Sequence, residues 1–122
     1  MFSRFLTAAV LSCALGISWA GSALAGELVF TVDNEFSEDV AIEFYSTDRN
    51  HIWPGGDQVW IVGVSDGEIS YPLTCNSGEQ ICFGAWSINQ QDQWGLGMDM
   101  SQDCAGCCAQ CGDIIEDVII LD

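Results

Sequence analysis

Four cysteines crowd the string CAGCCAQC, at Cys104, Cys107, Cys108 and Cys111, and two more, Cys75 and Cys82, flank the turn-forming run Asn76, Ser77, Gly78, Glu79. Sulfurs at this density have two chemistries. Oxidised, they pair as disulfides and staple a small domain; reduced, they bind soft metal ions such as copper or zinc. Under the metal reading, Met98, Met100 and His51 add soft or borderline ligands to Cys104, Cys107, Cys108 and Cys111. A C-x-x-C redox centre is the weaker reading, because no βαβ pattern surrounds either pair.

The compartment decides between them. Residues 1–25 carry one early positive charge, Arg4, an apolar stretch from Phe5 to Trp19 and a small-x-small end at Ala23, Leu24, Ala25, the pattern of a cleavable export signal with Gly26 as first mature residue. Gly16, Ser18, Gly21 and Ser22 interrupt the apolar run before the ~20 residues that span a bilayer. Cys13 lies inside the stretch, where Val10, Leu11 and Ser12 make a poor lipid-attachment site, so six of the seven cysteines remain after cleavage. That is the number a three-bridge framework needs in a secreted or periplasmic domain.

Other side chains give weaker signals. His51, the one histidine, sits in DRNH beside Asp48 and Arg49, with no G-x-S-x-G or H-E-x-x-H string in the chain, so no catalytic residue is expected and the chain reads as a non-enzyme. The acidic cluster Asp33, Glu35, Glu38, Asp39 could attract calcium, yet no EF-hand loop is present and a solvated face explains it. Trp53 and Trp94 lie in or next to loops and are the candidates for stacking on a glycan or peptide; Trp60 and Trp86, inside apolar runs, read as core. Trp94, after the polar run Asn89 to Gln93, is expected at the base of an exposed hairpin tip.

Charge narrows the partners. All 18 acidic residues lie beyond residue 25, where Arg49 is the only strong base, and the formal net charge of the chain is −16. Nucleic acid needs a basic patch for counterion release, so it is excluded; the acidic excess reads first as solubility and, more sharply, as attraction for metal ions or a cationic partner.

The elements that must position these residues read as short strands. Leu28, Phe30, Val32 and then Val40, Ile42, Phe44 alternate with their neighbours at period two, and further strands read at 59–64, 69–75, 81–88, 94–98 and 114–121. Without a helical pattern between them, residues 26–122 form one antiparallel β-sandwich domain that buries about two-thirds of its unfolded surface and gains from staples. A turn centred on Gly78 and Glu79 sets Cys75 opposite Cys82, close enough to bridge, which leaves the clustered four to pair among themselves. Pro72 places its strand at an edge or next to a bulge. Positions 104, 107, 108 and 111 share one helical face, so a short cysteine-bearing helix or loop is expected, capped by Ser101 and stopped by Gly112.

The strings FYSTDRNHIWPGG, YPLTCNSGEQICFGAW, WGLG and CAGCCAQC, in that order, resemble a group of small exported bacterial proteins of uncharacterised function. The resemblance spans about Phe30 to Cys111 and implies export and a compact cysteine-stapled β fold. It implies no activity, cofactor or catalytic residue.

Overall fold

A computed structural model describes residues 25–122; the expected export signal and Cys13 lie outside the described residues, apart from Ala25. The chain is mostly β. Its strands are β1 (Ala25–Asn34), β2 (Val40–Ser46), β3 (Ile52–Trp53), β4 (Trp60–Val62), β5 (Glu68–Asn76), β6 (Gln80–Ser87), β7 (Gln93–Gly95), β8 (Cys108–Gln110) and β9 (Ile119–Leu121), with one 3-10 turn at Met98–Met100.

Two sheets result, one of three strands in the order β5-β1-β9 and one of six built on β3-β2-β6-β7, with β4 on β2 and β8 on β6. All pairings are antiparallel except β1 with β9. Alternation explains which faces meet. Leu28, Phe30 and Val32 of β1 and Tyr71, Leu73 and Cys75 of β5 turn inward and join Val40, Ile42 and Phe44 of β2 in one core. Phe30 stacks on Phe44 with ring centroids 4.7 Å apart, and Phe44 packs 5.7 Å from Tyr71, so side chains from both sheets interleave.

The expected β5–β6 hairpin is not formed. β5 pairs with β1 over nine residues and β6 pairs with β2 over seven, so the Asn76–Gln80 turn carries the chain from one sheet to the other. Cys75 therefore faces Gly26, and Cys82 faces Tyr45 and Cys108. The bonds are Cys75–Cys111, Cys82–Cys108 and Cys104–Cys107, which corrects the Cys75–Cys82 bridge; only one bond lies within the clustered four. Pro72 does stand on an edge strand.

The cysteine run is not helical either. Cys108–Gln110 is a strand opposite Gln80, Ile81 and Cys82, and Ser101 follows the 3-10 turn as its C-terminal cap. The helical spacing is present, but a run this short is marginal as a helix by itself. Pairing with β6 satisfies the same backbone groups, and Gly106 (φ 84°) and Gly112 (φ 103°) break the helix on both sides.

Candidate functional site

β2 is buried on both faces. Its second face, bearing Ala41, Glu43 and Tyr45, is covered by the loop that follows β7. Gly84 of β6, opposite Glu43, makes that close approach possible: a Cβ there would stand 2.6 Å from the Tyr45 ring and collide with the Gly97 carbonyl. The Tyr45 hydroxyl donates to Glu43 Oε2 (3.0 Å), lies 3.2 Å from the Gly97 carbonyl and accepts the backbone N–H of Asp99 at 3.2 Å. Asp99 is held with φ 53°, a left-handed conformation that carboxylate side chains tolerate better than most.

These groups open on a cleft of about 490 Å³ lined by Glu43, His51, Asp57 and Asp99, with Pro54, Gly55 and Gly56 forming one wall. Glu43 is 8% exposed. Its Oε1 has no donor among the described residues, and no fully buried side-chain oxygen there lacks a partner, so Oε1 reaches the cleft. Burial, opposed by the Tyr45 hydrogen bond and aided by the Asp99 carboxylate, raises the Glu43 carboxyl above its usual range. Burial and the Glu43 charge push the Tyr45 phenol upward, so it stays a donor at any physiological pH.

The single strong base of the described chain is engaged elsewhere. Arg49 donates from Nε and Nη2 to the two oxygens of buried Glu79 (2.5 and 3.0 Å), which also accepts from the Ser46 hydroxyl and the Asn76 N–H. These bonds, the Arg49 pair first, hold Glu79 down at about 2. Among the described residues no Lys or Arg lines the cleft beside Glu43, Asp57 and Asp99.

The other expected site residues are dispersed. Trp53 is buried, with the His51 ring edge-on at 4.5 Å, the Arg49 guanidinium 5.7 Å over its ring and Nε1 donating to the Thr74 carbonyl, so its indole is not a free stacking surface. Trp94 stands at the base of the β6–β7 hairpin as expected and is half-buried, edge-on to Phe36 at 5.0 Å, with Nε1 donating to the Asp122 carbonyl. Trp86 is buried, and Trp60 is half-buried on Tyr71 at 4.9 Å. Of the metal set, His51 lines the acidic cleft and Met98 and Met100 flank Asp99, while the four sulfurs are all in disulfides and none lines that cleft. Among the described residues no three His, Cys, Asp or Glu side chains converge as a metal site, and in the calcium candidate Glu38 accepts from Asn89 and Asp39 caps the Val64 N–H.

Glu43 and Asp99 escape sequence reasoning. The one trace was a carboxylate in mid-strand between Ile42 and Phe44, which alternation assigns to a second face that a lone sheet would leave wet. No protein family, curated protein or solved structure matches the chain.

Proposed function

We propose that this is an exported β-sandwich module, stapled by its disulfides, that binds a lysine or arginine side chain of a basic partner in the cleft of Glu43, Asp57 and Asp99, acting by binding and not by catalysis. One observation carries the reading: a buried carboxylate keeps one oxygen directed into a cleft that already holds two more carboxylates and, among the described residues, no Lys or Arg. Burial strengthens the attraction of such an oxygen for a positive charge, because water screens it less. The net charge of −16 adds long-range attraction for a basic partner. Export rests on the signal pattern of residues 1–25, and the three bonded pairs fit an oxidising compartment. The interleaved inner faces of the two sheets support the sandwich. A glycan site loses its support with Trp53 and Trp94 packed against protein, and a copper or zinc centre loses its support with the thiols bonded.

The test is titration with the peptide acetyl-Gly-Arg-Gly-amide and its citrulline analogue, which has the same shape without the charge. The arginine peptide should bind with amide shifts centred on Glu43 and Asp99, the citrulline peptide should not, and Glu43→Gln should weaken binding about tenfold, the scale of one charge-assisted hydrogen bond. Asp103→Asn removes the same charge from an exposed loop. Equal losses from both variants would reduce the effect to overall charge and end the proposal.

A further inference from the structure

The two sheets do not close over each other along one side. In β6, alternation puts Ile81, Phe83 and Ala85 on the inner face, yet Ile81 and Ala85 are fully buried while Phe83 between them is only partly covered. Ala109 of β8, Ile119 of β9 and Ile115, a few residues before it, share that state: each packs on the core and each keeps part of its surface open. β8 and β9 are edge strands of the two sheets and have only three residues each. The inner face is left uncovered beside them.

The gap is a cavity of about 390 Å³ whose walls include Phe30, Phe83, Ala109, Ile115, Val118 and Ile119. Disulfides fix those walls in place. Cys108, which lines the cavity, is bonded to Cys82 in β6, and Cys111, ahead of Ile115, is bonded to Cys75 in β5. A preformed apolar cavity of this size is the usual setting of a small-molecule site, and one of about 150 Å³ with similar walls already holds benzene. A single charged side chain lines the cavity, the exposed Asp117, and among the described residues no Lys or Arg does.

We propose that this cavity binds a small aromatic amine, whose ring enters between the sheets while its ammonium group stays at the mouth beside Asp117. The Phe30 and Phe83 side chains offer an aromatic guest edge and face contacts that an alkyl chain lacks. Charge selects the head group: Asp117 and the net charge of −16 attract an ammonium and repel a carboxylate, which sets fatty and aromatic acids aside. The same charge sets aside a second copy of this chain, since two such molecules repel each other. The cavity shares no lining residue with the Glu43 cleft, and the inference does not depend on that cleft.

The experiment titrates the oxidised protein with tryptamine and follows the backbone amides by NMR. Two controls divide the ligand: indolepropionate keeps the ring and reverses the charge, and butylamine keeps the charge and lacks the ring. Tryptamine should bind saturably with shifts centred on Phe83, Ala109 and Ile119, indolepropionate should bind about fivefold more weakly, and butylamine should leave those amides unmoved. Asp117→Asn should lower tryptamine affinity about threefold, whereas Glu68→Gln, an equal charge change on another exposed side chain, should not. Ala109→Leu adds bulk inside the cavity and should weaken tryptamine further in a protein whose remaining amides keep their positions. Absence of saturable binding, equal binding of indolepropionate, equal losses from Asp117→Asn and Glu68→Gln, or shifts centred on Glu43 and Asp99 with Phe83 and Ala109 unmoved would each overturn the proposal.

Discussion

Arg49 and Glu79 form a two-point ion pair, with Nε and Nη2 of the guanidinium on the two carboxylate oxygens, and this pair sits where β2 leaves one sheet and the Asn76–Gln80 turn crosses between sheets. Glu79 is buried and takes two further donors, the Ser46 hydroxyl and the Asn76 N–H, so four donors converge on one carboxylate. The pair therefore fastens the end of β2, the end of β5 and the start of β6 at one point. The same pair occupies the only strong base of the described chain, which leaves no Lys or Arg beside the acidic cleft.

Acid should weaken the fold through Glu79. Its folded value of about 2 lies below the ordinary 4.5, so the unfolded chain binds the proton more readily. The stabilisation is complete above 4.5 and is lost as pH falls toward 2. Thermal melts of Glu79→Gln should lack most of that acid slope. Arg49→Met should destabilise the fold at neutral pH, because it leaves the buried Glu79 carboxylate without its charged partner. A wild-type melting temperature unchanged between pH 5 and pH 2.5 would contradict the pairing.

Glu43 should govern the pH dependence of cation binding. Its carboxyl is raised, so it holds its proton at a higher pH than an exposed glutamate, and a cation binds the ionised form. Affinity for the arginine peptide should fall as pH drops through a midpoint above the ordinary 4.5, and Glu43→Gln should abolish that midpoint. A wild-type midpoint at or below 4.5 would show that an exposed carboxylate, not Glu43, carries the binding.

Gly84→Ala should disturb the cleft and the fold together. The added methyl meets the Gly97 carbonyl and the Tyr45 ring, both backed by packed structure, so the loop must lift at a cost of about 1–3 kcal/mol. Gly78→Ala is the control. There a Cβ meets nothing within 4 Å, and only the positive φ of 80° resists it, at about 1 kcal/mol. Chemical denaturation distinguishes the two, and equal losses would mean that Gly84 does not set the approach of the loop.

The disulfides should differ in worth. Non-reducing peptide maps should recover Cys75–Cys111, Cys82–Cys108 and Cys104–Cys107. Replacing Cys75 and Cys111 together by Ser opens a loop of sequence separation 36 and should cost about 2–4 kcal/mol. Replacing Cys104 and Cys107 opens a separation of only 3, where closure restricts the unfolded chain far less, and should cost clearly less. A Cys75–Cys82 peptide in the map would restore the hairpin that the sheet pairing denies.

Trp53→Ala should cost about 3–5 kcal/mol, the range for emptying a buried aromatic site. Trp94→Ala should fall below that range while remaining measurable, because the indole is half-buried against Phe36 and tied to the Asp122 carbonyl. No loss at Trp94 in thermal melts would return the ring to the surface.

The sequence by itself determined the strands around Phe30 and Leu73, because alternation between a wet and a dry face is written there residue by residue; around Phe44 the apolar period marked the strand although both its faces are buried. It also limited Pro72 to an edge or a bulge, because a missing N–H acts locally. Tertiary structure alone decided which strands pair. The Asn76–Gln80 run has the same turn chemistry whether it joins neighbours in one sheet or crosses between two, so the cysteine partners could not be read from it. The spacing of the cysteine run fits a helix equally well until β6 offers Cys108–Gln110 a partner strand. Glu43, Gly84 and Asp99 lie far apart along the chain, and only Glu43, a carboxylate between Ile42 and Phe44, leaves a local trace. Their meeting depends on β2 receiving a second cover on its outer face, a contact between distant segments that no sequence period encodes.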